Sequence, residues 1–340
     1  MRMRSVGFAA AIILCTAALV LADGSGYRLL ITYKLGGPGR WDYLTIDSHA
    51  RRLYIPRENH VAVHDVDSGK HIGDIANTSG VRAVALAADL GRGFTSNADE
   101  GTVTMFDLTT LATNKKIKVG KFPATILYDP ATKRVFAFNA RGQDATVIDA
   151  SSGNVIGTVK LEGKPEFAAS DEKGKIFVNV QGTNQIVAID AEKLEVKARW
   201  PLAPCVFPRG LSMDVKNRRL FVGCDNNMLG VVDADSGKVI DTEEIGEDVG
   251  ATMFDSEAGL VFASCADGSL TVIREDPPDH FAVIDTIRTV QGARTMALDP
   301  ITHRVFLAAA QYGQSPDAKA DDERQNQILP DSFSLLVVGK

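Results

Sequence analysis

Short apolar runs, bounded by Asp, Gly or Ser, recur along this chain in a repeating unit. In each unit an apolar stretch ends in Asp, a turn carrying Lys or Arg follows, and an aromatic stands inside a second β-rich run. The clearest copies are Leu44-Thr45-Ile46-Asp47 with Arg52-Leu53-Tyr54, Ile126-Leu127-Tyr128-Asp129 with Arg134-Val135-Phe136, and Leu211-Ser212-Met213-Asp214 with Arg219-Leu220-Phe221. Thr252-Met253-Phe254-Asp255 with Leu260-Val261-Phe262, and Met296-Ala297-Leu298-Asp299 with Arg304-Val305-Phe306, repeat it. Weaker copies centre on Asp171 with Phe177 and on Ala87 with Phe94, where the Asp is lost. Asp47 and Asp299 stand 252 residues apart across six intervals, a mean period of 42.

A further alternating segment follows each aromatic and usually closes on Asp, as in Val61 to Asp65, Val103 to Asp107 and Leu229 to Asp233. A fourth run comes after it, such as Asn154 to Leu161 or Lys238 to Ile245. Four short strands in each of seven 42-residue units predict an all-β fold, a seven-bladed β-propeller of four-stranded antiparallel blades. The seventh copy ends at Leu335-Leu336-Val337-Val338, before its fourth strand. Tyr27 to Leu35 has strand composition and precedes the first copy, so the N-terminal strand is expected to close the last blade and hide two sheet edges.

The first 22 residues stand apart from this pattern. Arg2 and Arg4 precede the uncharged apolar stretch Val6 to Leu21, and small or aliphatic residues follow at Val20-Leu21-Ala22. This is the layout of a cleavable export signal, with cleavage expected before Asp23 and a single propeller domain over 23–340. The apolar run of 16 residues is short for a membrane anchor, so no membrane insertion is expected after processing. Thirty-seven basic against 43 acidic side chains give a net charge of −6, and no basic field advertises duplex nucleic acid.

Segments such as Asp129-Pro130-Ala131-Thr132-Lys133-Arg134-Val135-Phe136 and Val231-Val232-Asp233-Ala234-Asp235-Ser236-Gly237-Lys238 resemble the turn and strand patterns of the YVTN-repeat, YncE-like propellers of exported bacterial proteins. The resemblance covers essentially the whole mature chain. It implies a periplasmic or secreted binding or scaffold module and names no ligand, because that family has no shared catalytic motif to carry over.

Chemistry in a propeller gathers where the loops leading into the innermost strands meet the central channel. Counting five residues back from each repeat Asp, or from Ala87, gives Asp42, Arg82, Ala124, Glu166, Arg209, Gly250 and Arg294, with Trp41 adjacent. Three Arg offer forked donors and Trp a stacking face, a composition suited to a small anionic or sugar-like ligand. Mutual charge pairing around a watery channel is the plainer alternative. Glu58 and His60 are expected in a second-to-third-strand loop on the same side. The polar segment Gln311 to Asp331 leaves from that face as a lid or a solvated loop.

Cys205 and Cys224 both fall on the mouth side of one blade and are expected to pair as a disulfide, leaving Cys265 reduced and buried. There is no C-x-x-C pair, no helical histidine pair, no phosphate loop and no G-x-S-x-G elbow. Asp65-Val66-Asp67-Ser68-Gly69 and Asp233-Ala234-Asp235-Ser236-Gly237 read as hairpin turns rather than calcium loops. No cofactor, metal or catalytic set is therefore expected. Two function classes follow: a monomeric exported propeller that binds a small ligand or a periplasmic protein, or a lactonase- or lyase-type enzyme using acid–base or metal-binding groups at the mouth. The first is favoured by the lack of an identifiable catalytic set.

Overall fold

The computed structural model describes residues 24–276, 279–313 and 327–340. Seven four-stranded antiparallel sheets follow one another in chain order. Blades 1 to 6 occupy 45–75, 81–118, 123–160, 164–201, 208–244 and 249–288. Blade 7 joins Thr295–Asp299, Arg304–Ala309 and Ser334–Gly339 to the N-terminal strand Arg28–Lys34. Arg28 faces Gly339 and Lys34 faces Ser334 in that last ladder, so the chain start closes the ring as the sequence predicts. The export signal and most of the expected lid fall outside the described residues. Among the described residues no helix is long and apolar enough to cross a membrane.

The repeat aromatics explain why the blades stack. Tyr54, Phe94, Phe136, Phe177, Phe221, Phe262 and Phe306 are all fully buried, one per blade in the second strand. Each blade is too thin to bury its own faces, so the core lies between neighbours. At the blade 6–7 junction, Phe262, Leu270 and Val272 pack with Met296, Val305, Leu336 and Tyr27, which anchors the closing strand.

The repeat Asp residues work at the other end of the strands. Asp129, Asp171, Asp214, Asp255 and Asp299 are buried and accept backbone N–H groups of the following turn or hold its hydroxyl. Several also receive a side chain from the next blade: Arg218 reaches Asp171, His303 reaches Asp255, and Arg51 of blade 1 reaches Asp299 of blade 7. His303 Nδ1 lies 2.8 Å from the Asp255 carboxylate. The calcium-like stretches are Asx turns, with Asp65 accepting from Ser68 and Asp233 from Ser236.

Candidate functional site

The innermost strands carry a repeated irregularity that creates the site. In blades 2, 3 and 6 the ladder to the second strand skips one residue, between Val81 and Ala83, Pro123 and Thr125, and Val249 and Ala251. Blades 4 and 5 skip two residues, between Pro165 and Ala168 and between Pro208 and Leu211. The skipped residues include Arg82, Ala124, Gly250, Glu166 and Arg209. A bulged residue is released from the alternation of the strand, which lets its side chain be re-aimed. Asp42 and Arg294 occupy the corresponding places just before the short first strands of blades 1 and 7.

All seven of these positions line one central cavity of about 1290 Å³. Trp41 and Glu58 line it too, whereas His60 does not. His60 begins the third strand of blade 1, with its Nδ1 2.8 Å from Asn59 Oδ1. Gly250 is small of necessity. A Cβ there would lie 2.4 Å from the Arg294 carbonyl oxygen, in a seam where backbone approaches backbone.

The cavity wall carries six cationic side chains, Arg40, Arg82, Arg141, Lys164, Arg209 and Arg294, against four carboxylates, Asp42, Glu58, Glu166 and Asp248. The three arginines of the ring do not face one another unpaired. Arg82 donates to Asp42 at 2.7 Å. Arg209 forms a two-point ion pair with Asp225, and Arg294 holds Asp248 at 2.6 and 2.8 Å. Asp248 also lies 3.7 Å from Arg209, so the blade 5–7 side is internally neutralised. Counting back from the repeat Asp does not reach Asp225 and Asp248, which sit in loops outside the repeat register.

The blade 2–4 side differs. Arg141 stands 4.3 Å from the Phe122 ring centre and Arg82 5.1 Å from it. Among the described residues Arg141, and Arg40 of the loop into blade 1, form no ion pair with a carboxylate. Lys164 lies 3.4 Å from Glu166 Oε2 and donates to Gln181, while the Tyr43 hydroxyl donates to Glu166 Oε1 at 2.9 Å. Burial pushes the Asp42 carboxyl up to about 6 although Arg82 pulls it the other way. Burial and the neighbouring Glu166 hold the Tyr43 phenol well above its usual range. The cavity lining thus includes the aromatic side chains Trp41, Tyr43, Phe122 and Tyr312, with Arg141, which no carboxylate pairs among the described residues, beside Phe122.

Cys205 and Cys224 form the expected disulfide with Cα atoms 5.8 Å apart, and Cys265 is free and buried. The bridge ties the loop leading into the innermost strand of blade 5 to the end of its second strand. It thereby supports the bulge that carries Arg209.

No protein family matches this sequence, and no curated protein does. Among solved structures the chain is similar to a hydrazine synthase chain from Kuenenia stuttgartiensis, with a TM-score of 0.68 and 14% identity over 78% of this chain and 91% of that one. At that identity the likeness speaks for the β-propeller fold alone.

Proposed function

We propose that this chain is an exported binding propeller of the YVTN-repeat, YncE-like kind whose central cavity takes a small anionic ligand on its blade 2–4 side. The observation that carries the reading is the asymmetry of the wall. Arg209 and Arg294 are consumed by Asp225 and Asp248, while Arg141 of blade 3, and Arg40 of the loop into blade 1, face the same cavity without a carboxylate partner among the described residues. The Arg141 guanidinium beside Phe122 offers forked hydrogen bonds to a carboxylate, sulfate or phosphate group, and the aromatic walls accept a ring or sugar face. Export is supported by the N-terminal signal pattern and by a disulfide suited to an oxidising compartment.

The test is calorimetric titration of the mature chain with citrate, sulfate and galacturonate as probes and galactose as an uncharged control. At least one anion binds, more weakly as salt rises, and galactose binds less tightly than galacturonate. Failure of all three anions, or equal affinity for galactose and galacturonate, overturns the reading. A second reading, an acid–base enzyme of lactonase or lyase type, draws on Asp42, whose carboxyl near 6 suits proton transfer close to neutrality. Ring opening of a simple aldonolactone that disappears in Asp42→Asn would favour it.

A further inference from the structure

The sixth residue of the second strand is a buried position in every blade. It is Arg57, Asn97, Asn139, Val180, Cys224, Cys265 and Ala309 in blades 1 to 7. In blades 2, 3, 5 and 6 it stands opposite the mouth end of the innermost strand. Six of the seven side chains are uncharged. Arg57 alone puts a full charge there, although it is only 6% exposed. Among the described residues it forms no ion pair with a carboxylate. A buried cation without a counter-ion is costly unless other oxygens solvate it.

Those oxygens come from one loop. Arg57 Nη1 donates to the Gly36 carbonyl at 3.3 Å, and Nη2 donates to the carbonyls of Gly37 at 3.2 Å and Pro38 at 2.7 Å. The guanidinium carbon lies 3.8 Å from the centre of the Phe333 ring. The Phe333 carbonyl in turn accepts the N–H groups of Leu35 and Gly36 at 3.0 and 2.9 Å. The stretch Gly36-Gly37-Pro38-Gly39 needs such ties. Its three glycines take left-handed φ values of 63°, 77° and 91°, and glycine loses more freedom on folding than any other residue. The next three residues, Arg40, Trp41 and Asp42, line the cavity, whereas Arg57 does not. The Trp41 ring packs against Phe333, with centres 5.2 Å apart, so the contacts run unbroken from the buried guanidinium to the wall.

Blade 5 fastens the same place covalently. There Cys224, at the position equivalent to Arg57, is bonded to Cys205 in the loop leading into the innermost strand. We propose, on the reading of the cavity as an anion site, that Arg57 is a positioning residue of that site, the noncovalent counterpart of the disulfide, holding Arg40 and Trp41 in the arrangement that receives the anion. A tie of this kind acts on affinity without touching the ligand, because the loop and its side chains are ordered on folding rather than on binding. A forked guanidinium suits the task, since it reaches several carbonyls at once where an ammonium offers a point charge.

The experiment compares the full mature chain with its Arg57→Met and Arg57→Lys variants, all in a Trp200→Phe background that leaves Trp41 the only tryptophan. Val180 and Ala309 show that this register position accepts an apolar side chain. Acrylamide quenching of Trp41 fluorescence reads the loop without ligand, and calorimetric titration with citrate, sulfate and galacturonate reads the site. Arg57→Met raises Trp41 quenching about twofold and weakens the anion that binds the parent by about tenfold or more, the cost of ordering Arg40 and Trp41 at binding. Arg57→Lys recovers part of both. Arg51→Ala, which loosens blade 1 from blade 7 at the other end of the strands, moves neither. If Arg57→Met does not fold, the same two readings on Arg57→Lys decide. Unchanged Trp41 quenching overturns the proposal whatever the anions do. So does a variant with raised quenching that binds anions as the parent does, which would make the tie structural only. A parent that binds none of the three anions instead overturns the reading of the cavity, and the role of Arg57 in binding falls with it.

Discussion

Arg141 and Asp42 govern the cavity for different reasons. Arg141 faces it without a carboxylate partner among the described residues, so its loss should remove charged hydrogen bonds to a bound anion at about 1.5–3 kcal/mol, or roughly ten- to 150-fold in affinity. Asp42 acts through Arg82. Its carboxyl titrates near 6 in the fold against 3.8 when free, because burial disfavours the charge. Between those values the native state holds a proton that the unfolded chain has lost. The group's contribution to stability is therefore complete below 3.8 and declines as pH rises through about 6. The same protonation frees the Arg82 guanidinium. Affinity for galacturonate, whose own carboxyl titrates below this window, should rise as pH falls from 7.5 to 5, and Asp42→Asn should flatten that profile. A rise that persists in Asp42→Asn would assign the effect to another group.

Within a blade the strands are held by their ladders, and between blades side-chain contacts join them. Arg51 joins blade 1 to the buried Asp299 of blade 7 at 2.6 Å and also pairs with Asp67. Arg51→Ala leaves the Asp299 carboxylate with only local hydroxyl and backbone donors. It should lower unfolding free energy by about 1–3 kcal/mol, read by denaturant melts at pH 7. Gly250→Ala should cost about as much through overpacking, since the added methyl meets the Arg294 backbone. A Gly250→Ala protein as stable as the parent would show that the blade 6–7 seam can spread. These elements were legible in the sequence because strand patterning and a buried aromatic in each second strand repeat seven times, with an Asp at six of the seven first turns. The ring positions followed from the same register, counted back from Asp. The ion pairs did not, because Asp225 and Asp248 belong to loops whose lengths and conformations vary. Asp248, with a φ of 53°, and Phe122, with a φ of 57°, sit in left-handed backbone that no periodicity reveals. The contact of His303 with Asp255 is hidden for the same reason, since the two lie 48 residues and one blade apart.

At the scale of the molecule, the ring is closed by one N-terminal strand, Arg28–Lys34, which pairs with and covers the Ser334–Gly339 edge of blade 7. Removal of residues 24–36 should expose the Ser334–Gly339 edge, lower the melting temperature and promote association, measured by unfolding and by light scattering. A truncated chain that melts with the parent and stays monomeric would contradict the role assigned to this strand. The closed ring in turn holds charged side chains from separate blades around one cavity, and the division of that cavity into a neutralised side and an unsaturated side is the centre of the functional account. The most direct measurement is the affinity of Arg141→Ala and Arg294→Ala, compared with the parent, for whichever of citrate, sulfate and galacturonate binds the parent. The account predicts a loss of tenfold or more for Arg141→Ala with an unchanged melting temperature, and for Arg294→Ala a loss of no more than a few-fold. Equal losses in the two variants, or an Arg141→Ala protein that binds as the parent does, would contradict it.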